Sequence, residues 1–574
     1  MLHLINRKRY LLLLILFLIF LFAGLMVVKI KRPHLFHLTI IKNELQKRDN
    51  EKVLGVYYKE KPVLFDTLNS FTHLVLTLNN NDSFHFNDAL LRKVPNNHNI
   101  LLTIEFWGDK YQYNSTNDPV EEIMNGLYDK KLRQIEQSLI AIDKNIFVRI
   151  NPEMEVPVKK YPWQNNALYI SAYRYLVLKL KSENPKLKFV WGPSGFMGAE
   201  ELYPGNDVVD AISITLKSEV ESLFKRYPSY PDLANEIHKK LHRMRFFNKP
   251  VILLGTEKVN DSQMVYNLVN AEIDSIARYR SIAYNDSLWM NSDTVKQSRK
   301  FIFGMHDPNQ LLTSDPAVSL EHIFVDFGQV QSGELNRLLN EVFSRNHDAI
   351  LTVEPWRDLS GIPDSNVLQN IVIGKYDSII QRVFADVSNT KHNVYLRFAH
   401  EMEIPITRYA WQSKDPIDYI RAFRYFMTFV KRFPSNVKRI WGPAGDRASL
   451  DFYPGDDVVD YVSIAIYGLP DKNITDHNKQ ESFSDIFNEK KWRLRQINKP
   501  LFITEFGVKG PEDFQTKWLE AAAKTLNENP QVIGINYFNM SDTPGAWGDI
   551  KEPDWSITPN SLHRFMEVLE RDDK

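Results

Sequence analysis

The pattern of apolar positions along the chain changes after residue 28. Residues 10–28, YLLLLILFLIFLFAGLMVV, carry no charge, and in a helix that rises about 1.5 Å per residue they would cross the hydrocarbon core of a membrane. The run is longer than the apolar segment of a signal peptide, and no small-residue cleavage pattern follows it. We therefore predict a cytoplasmic N-terminus over 1–9, an uncleaved transmembrane signal anchor over 10–28 and a polar stalk over 29–50, with the rest of the chain outside the cytoplasm.

After the stalk, short runs rich in β-branched and aromatic residues alternate with longer amphipathic runs. In the second half of the chain the candidate strands are KFIFGMH, HIFVDF, AILTVEPW, VYLRFAHE, KRIWGPA, YVSIAIYG, PLFITEFG and VIGINYFN. Eight strands that alternate with helices within about 250 residues are typical of a (β/α)8 barrel. A doubly wound open sheet is the alternative, but such sheets usually have fewer strands, and no glycine-rich phosphate motif follows the first strand.

The same succession of motifs occurs twice in the chain. TIEFW, YPWQ, FVWGPSG, YPGNDVVD and NKPVILL in the first half match TVEPW, YAWQ, RIWGPAG, YPGDDVVD and NKPLFIT about 250 residues later. A period of this length is too long for a solenoid and fits two complete domains. The predicted fold is α/β, with two tandem (β/α)8 TIM barrels over 51–298 and 299–574, preceded by the single transmembrane helix.

Composition excludes several classes of protein. Lys and Arg together number 71, as do Asp and Glu, and no basic stripe indicates a nucleic-acid partner. The chain has no cysteine, so it has neither disulfides nor thiolate metal sites. No cluster with metal-ligand spacing indicates a metal or an organic cofactor.

Polar side chains end six of the eight strands predicted in the second repeat. They are His306, Asp326, Glu354, Glu401, Tyr467 and Glu505. The carboxyl ends of barrel strands carry active sites, and burying an unpaired carboxylate costs several kcal/mol. Internal salt bridges are the alternative explanation, and for Asp326 a structural role is the favoured one.

The two carboxylates on strands four and seven, Glu401 and Glu505, suit the cleavage of a glycosidic bond. One carboxyl group must be protonated to assist the leaving oxygen, and the other must be ionised to attack the anomeric carbon or activate water. Their proximity would raise the pKa of the acid.

The second repeat resembles glycoside hydrolase family 26, which is best known for β-1,4-mannanases and includes mixed-linkage glucanases and β-1,3-xylanases. The resemblance rests on RFAHEME followed by YAW, on YPGDDVVDYVSI and on ITEFG. It implies that Glu401 is the general acid/base and Glu505 the nucleophile of a retaining double displacement.

The resemblance also implies a set of substrate-binding residues around this pair. His400 would contact the sugar at the cleaved subsite, Tyr467 would hydrogen-bond the nucleophile, and Arg397 would set the electrostatics from below. Trp411 and Trp547 would stack on sugar rings. His306 ends strand one, and Glu354 and Trp356 form either outer sugar subsites or a loop anchor.

The first repeat keeps only part of this set. Glu153 stands where Glu401 does, but Pro152 replaces the histidine and Lys217 replaces the tyrosine. In a gap-free alignment Gly255 falls on Glu505, and Glu257 follows two residues later. We therefore expect the first repeat to be a degenerate barrel, retained for binding glycan or for packing.

Together these features predict a membrane-anchored retaining endo-β-glycoside hydrolase that acts on β-1,4-mannan or a related β-linked polysaccharide. One alternative is the trimming of a glucan-type exopolysaccharide beside a polysaccharide synthase, because processing a nascent chain favours a membrane tether. The other is a non-catalytic tandem glycan-binding protein.

Overall fold

The computed structural model describes residues 45–58, 61–64, 71–78, 86–106, 119–156, 165–182, 184–222, 230–259, 261–277, 301–356, 360–406, 408–412, 414–469, 482–544 and 551–570. The chain forms two compact units divided near residue 275, with residues 245–247 grouped with the second. The boundary predicted after residue 298 and the anchor predicted at 10–28 lie outside the described residues. Within the described ranges, no helix has both the length and the apolar character needed to cross a bilayer.

The first unit contains a nine-stranded sheet. Its strands are β1 (Leu45–Lys47), β2 (Glu51–Tyr58), β3 (Lys61–Leu64), β4 (Phe71–Thr77), β5 (Asn99–Glu105), β6 (Ile146–Ile150), β7 (Lys188–Trp191), β8 (Ala211–Leu216) and β9 (Val251–Thr256). Its helices are α1 (Ala89–Arg92), α2 (Pro119–Met124), α3 (Asp129–Ile140), α4 (Asn166–Lys181), α5 (Glu219–Ser222), α6 (Leu233–Met244) and α7 (Ser262–Ala277). Strands β4 to β9 are parallel and adjacent in order.

The prediction of a closed parallel (β/α)8 barrel is wrong for the described part of the first unit. Strand β1 pairs antiparallel with β4, and β2 pairs antiparallel with β9, so one short segment lies along both margins of a curled sheet. Its charged residues pair with strands of the sheet: Arg48 forms an ion pair with Glu105 on β5, and Glu51 forms one with Arg149 on β6. Hydrophobic periodicity reports which residues are buried and does not report strand direction.

The second unit confirms the predicted barrel. Eight parallel strands close on themselves in chain order: β10 (Ile302–His306), β11 (Leu320–Asp326), β12 (Asp348–Glu354), β13 (Val394–Phe398), β14 (Val437–Trp441), β15 (Tyr461–Gly468), β16 (Leu501–Val508) and β17 (Val532–Phe538). Its helices are α8 (Phe327–Ser332), α9 (Glu334–Ser344), α10 (Val367–Val372), α11 (Asp377–Ser388), α12 (Pro416–Met427), α13 (Phe483–Arg493), α14 (Glu512–Asn527) and α15 (Pro559–Glu570).

The interior of this barrel is layered by the two-residue period of its strands. A lower apolar layer takes one residue from each strand: Ile302, Leu320, Ile350, Tyr395, Ile440, Tyr461, Phe502 and Ile533. Because residues two apart on a strand share a face, the next layer is set by the residues that follow: His322, Thr352, Arg397, Ser463 and Thr504, all buried. A polar layer therefore separates the apolar floor from the carboxyl ends of the strands.

Candidate active site

Glu505 faces the barrel interior because strand β16 contains a bulge. The register with β15 shifts so that Ile464 pairs with Ile503 and Ala465 pairs with Glu505, which leaves Thr504 as the extra residue. Without the shift Glu505 would face outward, since each step along a strand reverses the side. Phe506 shows the result: its ring packs outside the barrel against side chains of α13, α14 and α15.

Both carboxylate oxygens of Glu505 have a donor. Arg397 Nη1 lies 2.5 Å from Oε1, and the hydroxyl of Tyr467 donates to Oε2 at 3.0 Å. The Arg397 side chain is fully buried, and its other terminal nitrogen lies 3.5 Å from the carbonyl oxygen of Gly442. The arginine and the tyrosine therefore fix the orientation of the carboxylate.

Glu401 is presented by a kinked segment directly after β13. Ala399 and Glu401 have positive φ angles of 46° and 52°, a conformation that costs a non-glycine residue free energy and that clusters at functional sites. The kink is held by hydrogen bonds: the amide of Glu401 donates to the carbonyl of Gly442 at 2.9 Å, and Gln412 Nε2 donates to the carbonyl of Glu401 at 3.1 Å.

The surroundings of Glu401 favour its protonated form. Burial raises the pKa of its carboxyl group well above the ordinary value, and the negative charge of Glu505 raises it further, against the opposing charge of Arg397. Glu403, two residues on, accepts hydrogen bonds from the amides of Gly445 and Asp446 and so braces the loop after β14. A carboxyl group that stays protonated beside an ionised one is the arrangement that proton donation requires.

Trp411 does not stack on a sugar, so that prediction is wrong. The indole is fully buried, its N–H donates to the carbonyl of His400 at 2.7 Å, and its face is covered by Tyr409 with ring centroids 4.5 Å apart. Trp411 thus anchors the segment that carries His400 and Glu401. The sequence motif located the tryptophan correctly but did not show which side of the loop its ring occupies.

The structure places His400 and His306 near the carboxylate pair. The His400 ring is surrounded by the rings of Phe324, Tyr409 and Trp411, and burial, together with the charges of Arg397 and Arg408, lowers its pKa well below the ordinary value. His306 Nδ1 lies 2.6 Å from the carbonyl oxygen of His322, so Nδ1 carries the hydrogen. Burial lowers the pKa of His306, which makes both histidines neutral hydrogen-bonding groups.

Glu354 and Trp356 lie together at the end of β12. The indole Nε1 of Trp356 is 3.4 Å from a carboxylate oxygen of Glu354, and its ring meets that of Tyr409 edge-on, with centroids 5.4 Å apart. Both are half-buried and border the Glu401 segment through Tyr409. Asp326 instead caps helix α8 by accepting from the amide of Gln329, a structural role.

Trp555 and Asp542, in the loop after β17, were not singled out in the sequence. Trp547, which was, lies outside the described residues. The ring of Trp555 packs against that of Tyr467 with centroids 4.7 Å apart. The Trp555 indole lies 3.2 Å from a carboxylate oxygen of Asp542, whose charge acts on both His306 and Tyr467. A further carboxylate therefore lies near His306 and Tyr467, and no motif in this loop indicated it.

The first unit keeps the kinked segment but not the bulge. Asn151 and Glu153 have φ angles of 41° and 60°, and the amide of Glu153 donates to the carbonyl of Gly192 at 2.7 Å, as in the second unit. Strands β8 and β9, in contrast, pair without a register shift, and Thr215 lies opposite Leu254. Because Thr215 corresponds to Ala465, Leu254 takes the place of Glu505, and the gap-free match with Gly255 is wrong by one residue.

The other charged residues of the first unit form separate pairs. Arg149, the counterpart of Arg397, pairs with Glu51 at 2.6 Å. Lys217 pairs with Glu236, and Glu257 lies beyond the end of β9 with an exposed side chain. Glu153 and Glu257 therefore have different surroundings, the first buried and the second exposed.

Restoring a glutamate at position 255 is not expected to restore a site. A Cβ atom at Gly255 would lie 2.4 Å from the carbonyl oxygen of Val259 and 2.5 Å from Leu54 Cδ1, and the uninterrupted register turns position 255 away from Leu254. We expect Gly255→Glu to lower the free energy of unfolding by about 1–3 kcal/mol and to add no hydrolysis in a Glu505→Gln background. Thermal unfolding and a reducing-sugar assay check this, with the exposed Glu257→Gln as control; new activity would contradict the register.

Comparison with known proteins gives partial matches. No family model matches the chain. It is 26% identical over 241 residues to endoglucanase H of Acetivibrio thermocellus, which covers 40% of this chain and 25% of that protein. It is 26% identical over 249 residues to β-1,3-xylanase TXYA of Vibrio sp., a match that covers 36% of this chain and 50% of that protein. It is 27% identical over 250 residues to a β-1,3-xylanase of Alcaligenes sp., a match that covers 37% of this chain and 50% of that protein. The chain thus spans a quarter to a half of the length of the curated relatives it matches.

Solved structures match about half of the chain. GH26C of Muricauda sp. covers 47% of this chain and 85% of its own, with 16% identity and a TM-score of 0.36. The match to the GH26-CBM35 β-(1,4)-mannanase of Podospora anserina covers 48% of this chain and 61% of that one, with 15% identity and a TM-score of 0.32. The match to the endo-1,4-β-mannanase of Rhizomucor miehei covers 48% of this chain and 96% of that one, with 9% identity and a TM-score of 0.35.

Proposed function

We propose that the second unit is a retaining glycoside hydrolase in which Glu401 is the acid/base and Glu505 the nucleophile. The observation that carries the proposal is the contrast between the surroundings of the two carboxyl groups. Arg397 and Tyr467 donate hydrogen bonds to the two carboxylate oxygens of Glu505, while burial and the charge of Glu505 raise the pKa of Glu401. The similarity to an endoglucanase and two β-1,3-xylanases supports the same class of reaction.

In the first step the proton of Glu401 passes to the glycosidic oxygen as that oxygen leaves. A carboxylate oxygen of Glu505 attacks the anomeric carbon, so the bond to the leaving sugar breaks and an ester to the enzyme forms. Arg397 and Tyr467 hold the attacking carboxylate in place, which lowers the entropic part of the barrier.

The second step reverses the role of Glu401. Once Glu505 is esterified its negative charge is gone, so the largest of the charge effects that raised the pKa of Glu401 disappears. Glu401, now ionised, takes a proton from water, the water oxygen attacks the anomeric carbon, and the ester to Glu505 breaks. The loss and return of one charge thereby couples the two halves of the cycle.

The substrate we propose is a β-linked polysaccharide cleaved internally. Residues of the second repeat that resemble family 26 favour β-1,4-mannan, whereas the curated relatives are named for β-1,3-xylan and for glucan cleavage. His400, His306, Glu354 and Trp356 supply neutral donors, a carboxylate and an aromatic ring near the pair, a combination suited to sugar hydroxyl groups and ring faces.

We propose further that the first unit is a degenerate copy of the second. Matched contacts support this: Arg174 with Asp207 and Tyr175 with Asp129 in the first unit, and Arg424 with Asp457 and Tyr425 with Asp377 in the second, each at 2.6–2.8 Å. Leu254 in place of a glutamate removes the nucleophile from the first unit.

The anchor proposed at residues 10–28 would hold both units at the outer surface of a membrane, where a secreted or nascent polysaccharide is accessible. Cell fractionation with a protease-protection assay tests this placement. Recovery of the full-length chain in the supernatant of broken cells would contradict it.

The reaction is tested with full-length protein on β-1,4-mannan, β-1,3-xylan and mixed-linkage β-glucan, with product analysis by chromatography. We expect one of the three to yield oligosaccharides whose new reducing ends keep the β configuration, read by proton NMR early in the reaction. An α product would contradict the double displacement. Binding of a polysaccharide without turnover would favour the non-catalytic alternative.

We expect the basic limb of the profile of kcat/KM against pH to lie at a higher pH than an ordinary glutamic acid would give. The first step requires protonated Glu401, and burial with the charge of Glu505 raises the pKa of that carboxyl group. The protonated fraction is therefore complete below the raised pKa and falls as pH rises through it, so kcat/KM should persist into the neutral range. Loss of activity near pH 5, where an ordinary glutamate ionises, would contradict this assignment of the acid.

A further inference from the structure

The bulge that aims Glu505 leaves a backbone group that must be satisfied inside the barrel. Thr504 is the surplus residue, since Ile503 and Glu505 pair with consecutive residues of β15, and the register with β17 also shifts between Ile503 and Phe506. The ladder is therefore interrupted on both sides of Thr504. A buried carbonyl group outside the backbone hydrogen bonds of the sheet needs another donor, since leaving it unpaired costs about as much free energy as a lost hydrogen bond.

Two side chains from the barrel interior converge on the carbonyl oxygen of Thr504. Asn536 Nδ2, on β17, lies 3.2 Å from it, and His322 Nδ1, on β11, also lies 3.2 Å from it. His322 reaches this oxygen across the interior, because β11 and β16 are not neighbours in the barrel. The side chains of both residues are buried.

The partners of His322 define its tautomer. A carbonyl oxygen only accepts, and a ring lone pair directed at it would repel it, so Nδ1 carries the hydrogen. The amide nitrogen of Asn536, which also lies 3.3 Å from Nδ1, then donates to the carbonyl and not to the ring. Nε2 lies 2.8 Å from the hydroxyl oxygen of Thr352, which then donates to it. Burial, and after it the charge of Arg397, lowers the pKa of His322 well below the ordinary value, so the ring is neutral, as this pattern requires.

The first unit contains the same pair without the bulge. His73 Nε2 lies 2.7 Å from the hydroxyl oxygen of Thr103, but its Nδ1 faces the carbonyl oxygen of Glu51 at 3.0 Å. The histidine–threonine pair thus holds a backbone carbonyl in both units. Only in the second unit does that carbonyl belong to the residue before a carboxylate that faces the interior.

We propose that His322 is a positioning residue for the nucleophile: through Nδ1 it fixes the carbonyl of Thr504 and with it the bulge that turns Glu505 toward Arg397 and Tyr467. This proposal rests on the proposed function only in calling Glu505 the nucleophile. The structural part, that His322 holds the bulge, stands independently of any substrate.

The two amide substitutions of His322 separate its two hydrogen bonds. The amide nitrogen of asparagine can take the place of Nδ1, whereas that of glutamine reaches toward the place of Nε2. We expect His322→Gln to lower kcat by about 10²-fold, the effect of moving a reacting group by about 1 Å, with KM within about twofold. His322→Asn should retain activity within about tenfold of wild type. The probe is whichever polysaccharide of the three-member panel the wild type cleaves.

Crystal structures of both variants give a readout that needs no activity. We expect the register shift at Thr504 and the contacts of Glu505 with Arg397 and Tyr467 to be lost in His322→Gln and kept in His322→Asn. His73→Gln is the matched control, since it removes the equivalent ring from the first unit, and it should leave kcat unchanged. Should His322→Gln fail to fold, His322→Leu, which removes both hydrogen bonds of the ring, is expected to lower kcat without changing KM.

The outcomes distinguish the two proposals. An intact bulge and wild-type kcat in His322→Gln, or in His322→Leu where that variant is used, would overturn the positioning role while leaving hydrolysis in place. If the wild type cleaves none of the three polysaccharides, the proposed function fails. The crystal structures then decide alone whether His322 holds the bulge.

Discussion

Replacing Glu505 by glutamine is expected to lower kcat on the cleaved polysaccharide by on the order of 10⁴-fold or more. The amide keeps the size of the side chain and a hydrogen-bond acceptor for Tyr467, but it cannot form the ester to the anomeric carbon. It also places an uncharged group 2.5 Å from Arg397, so a buried guanidinium loses its partner. Initial rates from a reducing-sugar assay, with the thermal unfolding midpoint recorded in parallel, measure the effect.

The control for this variant is Glu257→Gln in the first unit. That side chain is exposed beyond the end of β9, so its substitution should change neither rate nor stability. If Glu505→Gln kept most of the wild-type activity, the nucleophile would lie elsewhere, and the assignment of the first unit as inactive would have to be abandoned.

Replacing Glu401 by glutamine is expected to lower kcat/KM by about 10²–10⁴-fold on polysaccharide, and by much less on a dinitrophenyl β-glycoside of the same sugar. A sugar leaves as a strong base and needs the proton of Glu401, whereas dinitrophenolate leaves without one. The second step still lacks its base, so the glycosyl-enzyme should accumulate. Stopped-flow detection of about one equivalent of dinitrophenolate per protein, followed by slow turnover, tests this.

Glu153→Gln is the matched control, because Glu153 lies on the equivalent kinked segment of the first unit. We expect Glu153→Gln to leave the rates on both substrates unchanged. Equal losses on the polysaccharide and the dinitrophenyl glycoside in Glu401→Gln, without a burst, would show that Glu401 does not act as the acid.

The sequence predicted the second barrel in detail because its strands satisfy two requirements at once. Each strand supplies an apolar residue to the lower layer, as Leu320 and Phe502 do, and each connection carries an amphipathic helix such as α9, which buries Leu335, Leu339 and Val342 on one face. The spacing of apolar residues along the chain indicates both features. The carboxyl-end rule then indicates where charged side chains collect, which is how Glu401 and Glu505 were found.

What the sequence did not predict depends on contacts that periodicity does not carry. The bulge at Thr504 is stabilised by His322 and Asn536, which are far away along the chain, so a gap-free alignment put Gly255 opposite Glu505. Trp411 was assigned to a sugar because its motif fixes its position and not the face of the loop it occupies. Strand β2 runs antiparallel to β9 and carries Glu51, whose ion-pair partner Arg149 no local pattern reveals.

In genetic terms, the surplus residue in β16 amounts to one codon. Deleting the codon for Thr504 would keep the reading frame and would leave Glu505 directly after Ile503, so regular alternation would still turn it inward opposite Ala465. What that deletion would remove is the carbonyl group that His322 and Asn536 bind.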